Sequence, residues 1–169
     1  MPKPLIVDES YPTTDGICHD AFSLRIISPA YASAESELNA ILQYVYHSVL
    51  FDKNGHSDIA DEIMSIAIAE MHHLELLGKT IYALGAAPVY TQFPPCSFNY
   101  YSTKYVAYSR TLKNMLEDDV IGERRAIAGY KKMLKCLKNE QVSAIISRIL
   151  KDELLHLEKL ESILCGFNY

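Results

Sequence analysis

One pattern of carboxylates and imidazoles occurs twice along the chain, and it constrains the fold more tightly than any other feature. Glu37 is followed by Glu70-Met71-His72-His73, and Glu123 by Glu153-Leu154-Leu155-His156. Each lone Glu opens the phrase Glu-x-x-Ala-x-x-x-Tyr, as Glu37, Ala40, Tyr44 and again as Glu123, Ala126, Tyr130. Each Glu-x-x-His continues as His-Leu-Glu-x-Leu. Agreement over such a span reads as an internal duplication of a helix pair.

Glu and His at i and i+3 share one helix face and can hold the same metal ion. Their surroundings say which face. Glu123 lies among Leu116, Val120, Ile127 and Tyr130, Glu70 among Ile63, Ile66, Leu74 and Leu77, Glu153 among Ile146, Ile149, Leu157 and Leu160, and Glu37 beside Ile41 and Tyr44. Apolar stripes of this kind face a core. Burying an uncompensated carboxylate costs several kcal/mol, against a domain stability of about 5–15 kcal/mol. No Lys or Arg lies within a turn of these carboxylates on their stripes, and Arg124 and Arg125 point away from the face of Glu123. Two divalent cations supply the missing charge. Four carboxylates and two imidazoles are donors that iron and manganese both accept, so Glu37, Glu70, His73, Glu123, Glu153 and His156 are the predicted metal ligands. Glu35 is an alternative to Glu37, further round from the stripe.

Depth supports the same set. Glu37 stands about 17 positions before a turn near Asn54-Gly55, and the Glu70/His73 pair is centred about 17 after it; Glu123 and the Glu153/His156 pair are each about 16 from a turn near Asn139. At about 1.5 Å per residue, all six converge on one level of a bundle.

The chain of 169 residues fits one domain. A net charge of −5 argues against nucleic-acid binding. No apolar run reaches bilayer length and Met1–Asp8 lacks a secretory segment, so a cytoplasmic protein that does not engage membranes is expected. Cys18, Cys96, Cys136 and Cys165 are scattered and read as reduced thiols without a metal role. Periodicity predicts helices over about 32–52, 57–84, 107–137 and 141–164. Ser57 and Asp58 are candidate caps for the second helix. The Pro- and Tyr-rich stretch over about 86–106 is a long crossover, and 1–31 reads as an extended arm with turns such as Asp15-Gly16. The expected fold is an all-α four-helix bundle over 32–165 with one long crossover between its second and third helices. The arm covers the bundle or contacts another subunit.

Tyr44 and Tyr130 occupy matching inward positions. They are candidate catalytic residues if one bonds a ligand carboxylate or donates an electron during turnover, and core-packing residues otherwise. His72, His47 and His56 are expected at solvent or at subunit contacts. Glu75 and Glu158 are placed either at the surface or behind the histidines. Ile, Leu and Tyr predict a small cavity and a small substrate.

These residues resemble the ferritin-like di-metal carboxylate superfamily, along all four helices. Glu37-Leu38-Asn39-Ala40-Ile41-Leu42-Gln43-Tyr44 and Glu70-Met71-His72-His73 are similar to the first two ligand segments of bacterioferritins, and Asp152-Glu153-Leu154-Leu155-His156 to the fourth-helix segment. The resemblance implies that Glu70 and Glu153 bridge two metals, that Glu37 and Glu123 are terminal carboxylates, and that His73 and His156 bind one ion each. Rubrerythrins and manganese catalases share the architecture. Rubrerythrins usually carry a further carboxylate where this chain has Ala126, and many carry a rubredoxin module that this chain lacks. Met71 corresponds to a bacterioferritin haem position, but one Met gives haem little support.

The expected function is that of an oxidoreductase with two iron or two manganese ions per subunit, acting on O2 or H2O2 with an unknown reductant, as a rubrerythrin-like peroxidase or oxidase or a manganese-catalase-like enzyme. The alternative is an iron-oxidising storage or detoxification protein of ferritin type. A third option is a structural coat protein stabilised by metal. A homo-oligomer, dimeric or larger, is expected.

Overall fold

The computed structural model describes residues 2–96 and 98–167. Five α-helices follow in order: α1 (Ala21–Ala32), α2 (Glu37–Lys53), α3 (Ser57–Ala83), α4 (Leu112–Cys136) and α5 (Glu140–Gly166), with one 3-10 turn at Thr103–Tyr105. No β-strand occurs among the described residues. The last four helices form the expected four-helix bundle. α2 packs along α3 and α4 along α5, each pair joined by a short turn, and the long crossover connects the two hairpins.

The helix ends follow from local chemistry. The Ser36 hydroxyl accepts from the Asn39 N–H and starts α2 at Glu37, five residues later than the apolar period predicts. Thr111 caps α4 in the same way, so the helix begins at Leu112 and not at 107. α3 is preceded by His56 without a side-chain cap, and the Ser57 hydroxyl bonds Asp52 instead of the helix end. α3 ends at Ala83 and the chain turns away at Gly85, whose φ of +105° favours glycine; a Cβ there would lie 3.1 Å from the His19 ring.

The arm differs from its extended expectation. It runs extended to a turn at Asp15-Gly16, with Gly16 at φ +82°. Asp20 then caps a helix, accepting from the Phe22 and Ser23 N–H groups, and α1 packs on α3. Pro29 inside α1 masks that helix in the sequence.

The apolar core is divided in two. One cluster joins Leu77, Ile81, Ile145, Ile146 and Ile149 with α1; the other joins Phe51, Ile63, Ile66, Leu116 and Leu160. Along α3 the order is Ile63, Ile66, Glu70, His73, Leu77, and along α5 it is Ile146, Ile149, Glu153, His156, Leu160. A layer of ionisable groups therefore lies between two apolar layers. Among the described residues no helix is long and apolar enough to cross a membrane.

Candidate metal centre

All six predicted ligands meet in that layer, each at most 3% exposed. They form two overlapping groups, Glu37, Glu70, His73 and Glu153, and Glu70, Glu123, Glu153 and His156; within each, one donor atom per residue lies within 4.8 Å of the others. Glu70 and Glu153 belong to both groups. The imidazoles aim their Nδ1 atoms inward. His73 Nδ1 lies 3.0 Å from Glu70 Oε2, 3.1 Å from Glu153 Oε1 and 3.9 Å from Glu37 Oε1. His156 Nδ1 lies 3.0 Å from Glu70 Oε1 and 3.7 Å from Glu123 Oε1. Glu35 is exposed and faces Arg125, which leaves Glu37 as the α2 carboxylate of the cluster.

The two tyrosines tie the hairpins together reciprocally. Tyr44 of α2 donates to Glu123 of α4, and Tyr130 of α4 donates to Glu37 of α2. Burial, followed by the adjacent carboxylate, pushes both phenols well above their ordinary range, so they act as neutral donors.

The electrostatics show carboxylates crowded beyond what the protein balances. Burial and then Glu70 push Glu37 well up, and burial and then Glu153 push Glu123 well up. Glu153 is pushed up to about 7 by burial, Glu70 and Glu37. Burial opposes a charged His73, but Asp152, Glu153 and Glu70 outweigh it and hold the imidazole well above its usual range. Among the described residues, four fully buried donor atoms, Glu70 Oε1, Glu123 Oε2, Glu153 Oε1 and His156 Nδ1, make no well-aligned hydrogen bond, although imidazole Nδ1 and carboxylate oxygens stand 3.0–3.1 Å apart. Carboxylate lone pairs that outnumber the donors facing them suit cations. The residues therefore fit two metal ions.

Sequence reasoning missed the groups behind the cluster. Asp152, buried and one residue before Glu153, takes His73 Nε2 at 3.0 Å, the Tyr11 hydroxyl at 2.6 Å, the Val7 N–H at 2.8 Å and Arg148 at 2.7 Å. Burial opposes its ionisation, yet these partners hold its carboxyl well below the usual range. Arg148, more than a turn from Glu153, is itself buried; it pairs with Asp152 and donates to the carbonyls of Glu9 and Val7. The i,i+4 spacing of Arg148 and Asp152 was a usable signal. Glu75 and Glu158 are exposed, and Glu75 pairs with Lys79.

His47, expected at solvent, is fully buried. Its Nδ1 lies 2.8 Å from Asp119 Oδ1 and its Nε2 3.1 Å from the Ala107 carbonyl. Gln43 donates to Asp119 at 2.8 Å and accepts from the Ala107 N–H at 3.1 Å. These side chains clamp the end of the crossover onto α2 and α4, one turn from Tyr44 and Glu123. Burial raises Asp119 while His47 and Gln43 pull it down. His72 is exposed, and His56 packs against Phe51 and Phe167. Met71 is 42% exposed on the outer face of α3.

A cavity of about 870 Å³ opens between α2, α4 and the crossover and reaches Glu37, Glu70, Glu123, Glu153, Tyr44 and Tyr130. It is larger than the small cavity expected, Gly122, Ala126 and Gly129 lining it from α4 without bulk, and carboxylates and hydroxyls line it beside the tyrosines.

A family model described as a ferritin-like domain matches residues 32–167. The bacterioferritin of Brucella melitensis is 30% identical over 132 residues, covering 75% of this chain and 74% of that protein. The Desulfovibrio desulfuricans bacterioferritin, whose structure was determined with its diiron site in different catalytic states, superposes with a TM-score of 0.70 at 26% identity, covering 85% of this chain and 78% of that one. KatB, a manganese catalase from Anabaena, has a TM-score of 0.76 at 21% identity, covering 94% of this chain and 78% of that one.

Proposed function

Since the chain belongs to the ferritin-like domain family, we propose that its cluster binds two iron ions and oxidises Fe²⁺ with O2 or H2O2, as a ferroxidase. The observation that carries this reading is the pair of buried four-residue groups sharing Glu70 and Glu153, each with its donor atoms within 4.8 Å of one another. Similarity to bacterioferritins over three quarters of the chain supports iron.

When bound, two ions supply electrons in pairs, so that an oxidant is reduced without release of radicals. Glu70 and Glu153 contribute to both positions, His73 and Glu37 to one, and His156 and Glu123 to the other. Tyr44 and Tyr130 orient the terminal carboxylates by hydrogen bonds from their un-ionised hydroxyls. The cavity between α2 and α4 gives oxidant and Fe²⁺ a path that ends at Glu37 and Glu123. The apolar layers on either side exclude bulk water along the bundle axis.

A second reading is a manganese centre that disproportionates H2O2. It is favoured by the fold match to the Anabaena manganese catalase, which covers 94% of the chain and so extends into the arm, whereas the ferritin-like match begins at residue 32. Exposed aromatic side chains on the crossover, among them Tyr90, Phe93, Phe98 and Tyr100, fit subunit contacts in a homo-oligomer.

The test is elemental analysis of protein purified without chelator, followed by Fe²⁺ oxidation and H2O2 consumption assays. Two irons per chain and catalytic Fe²⁺ oxidation are expected. Two manganese ions with O2 release would favour the second reading, and a chain that binds neither metal would overturn both. Light scattering separates a storage shell of many subunits from a small enzyme oligomer.

A further inference from the structure

The two hairpins do not support their imidazoles alike. Behind His73 stands Asp152, the residue immediately before Glu153. In the duplicated pattern the matching position, immediately before Glu70, is Ala69, which is fully buried and carries no acceptor. His156 would therefore lack an outer partner if the bundle were alone. Its Nε2 lies instead 2.8 Å from the backbone carbonyl of Leu5, in the N-terminal arm. Leu5 is held there by its own N–H, which donates to the Ser65 carbonyl of α3 at 3.1 Å, and its side chain packs on the core cluster around Ile63 and Ile66.

We propose that Leu5 is a positioning residue of the second metal position, and that docking of the arm and binding of an ion by Glu70, Glu123, Glu153 and His156 are one linked equilibrium. The inference rests on the metal-centre reading above. A carbonyl accepts only, so its contact with Nε2 fixes a proton on that nitrogen, and Nδ1, which faces Glu70 and Glu123, is the atom left to bind the ion. Without the arm, His156 can take the other tautomer, with a proton where the ion must sit. Reciprocity then requires the ion to stabilise the docked arm as much as the arm stabilises the bound ion.

The same comparison makes the two positions unequal. His73 leans on a carboxylate and His156 on a neutral carbonyl, and a carboxylate partner raises the basicity of a ligating imidazole more strongly. Ions fill the His73 position first and the His156 position second.

The experiment is Mn²⁺ titration, by calorimetry and by the electron paramagnetic resonance of free Mn²⁺, of the full chain and of a chain lacking residues 2–6. The deletion keeps Val7 and Tyr11, which serve Asp152. Two unequal steps are expected for the full chain, with the weaker step lost or lowered about 10–100-fold by the deletion and the tighter one retained. Asp152→Asn weakens the tighter step instead. Nitrogen NMR of the metal-free proteins reads the tautomer directly, with the His156 proton on Nε2 in the full chain and redistributed in the shortened one. Hydrogen exchange of the Leu5 amide in the full chain, which needs no variant to fold, slows when the second equivalent binds.

A shortened chain that takes both ions with unchanged affinity, or a Leu5 amide indifferent to metal, overturns the proposal while leaving the metal centre intact. A full chain that takes no ion removes the metal-centre reading and this inference together.

Discussion

Glu153 shows how a single residue couples acid–base chemistry to stability. Its carboxyl is pushed from 4.5 to about 7 in the folded chain, so between those values the native state holds a proton that the unfolded state has released. Stability of the metal-free protein is then full below about pH 4.5 and falls as pH rises through about 7, by roughly 2–4 kcal/mol for this group. Glu37, Glu123 and His73, all shifted upward, act in the same direction. Asp152, shifted downward, loses its contribution only in stronger acid. Urea unfolding of chelator-treated protein at pH 5 and pH 8 should give the higher midpoint at pH 5, and metal should reverse the order by binding the ionised carboxylates. Glu153→Gln is expected to raise the metal-free melting temperature at pH 8 and to abolish stabilisation by metal, because the side chain belongs to both four-residue groups. Tyr44→Phe and Tyr130→Phe each free one terminal carboxylate, so each should weaken one Mn²⁺ equivalent about 10-fold or more; unchanged titrations would leave the tyrosines as packing residues. At this scale the sequence was informative wherever a group sat on a stripe. Glu37 and Tyr130 were legible from spacing, as were their partners in the second copy. Leu5 and Tyr11 were not, because their roles depend on where an irregular arm lies.

The elements were legible to different degrees for equally physical reasons. α3 and α5 show unbroken apolar periodicity, and their extents matched closely. α1 was hidden by Pro29, and the starts of α2 and α4 by hydroxyl caps that overrule the apolar period. His47 and Asp119 fall on inward stripes at one-turn spacing from Tyr44 and Glu123, so their burial could have been read with more weight on position than on residue type. Their clamp on Ala107 predicts that His47→Ala, by leaving buried Asp119 with Gln43 but without the imidazole, costs about 1–3 kcal/mol and speeds hydrogen exchange of the Ala107 amide. At the end of α3, Gly85→Ala meets a positive φ and the His19 ring together. A loss of about 1–3 kcal/mol is expected, which thermal melting would show as a drop of several degrees. No change would mean that the loop relaxes around the added methyl.

Across the whole molecule, each of the two four-residue groups draws on both hairpins: α2, α3 and α5 supply one, and α3, α4 and α5 the other. Each hairpin alone holds three of the four residues of its group, so a bound ion would favour the assembled bundle over the separate helix pairs. Metal at about 100 times its dissociation constant adds about 2.7 kcal/mol per site. Calorimetric melting with and without Mn²⁺ should show one transition that moves up as a unit, and two separate transitions would contradict this shared construction. The pairing of Tyr44 with Glu123 and Tyr130 with Glu37 has an optical consequence as well. The chain contains twelve tyrosines and no tryptophan, so its ultraviolet emission is tyrosine emission. A phenol that donates to a carboxylate emits weakly, and a paramagnetic ion nearby quenches it further. The filling of the centre should therefore be readable as a stepwise loss of intrinsic fluorescence, with the two phenylalanine variants assigning one step to each half of the molecule.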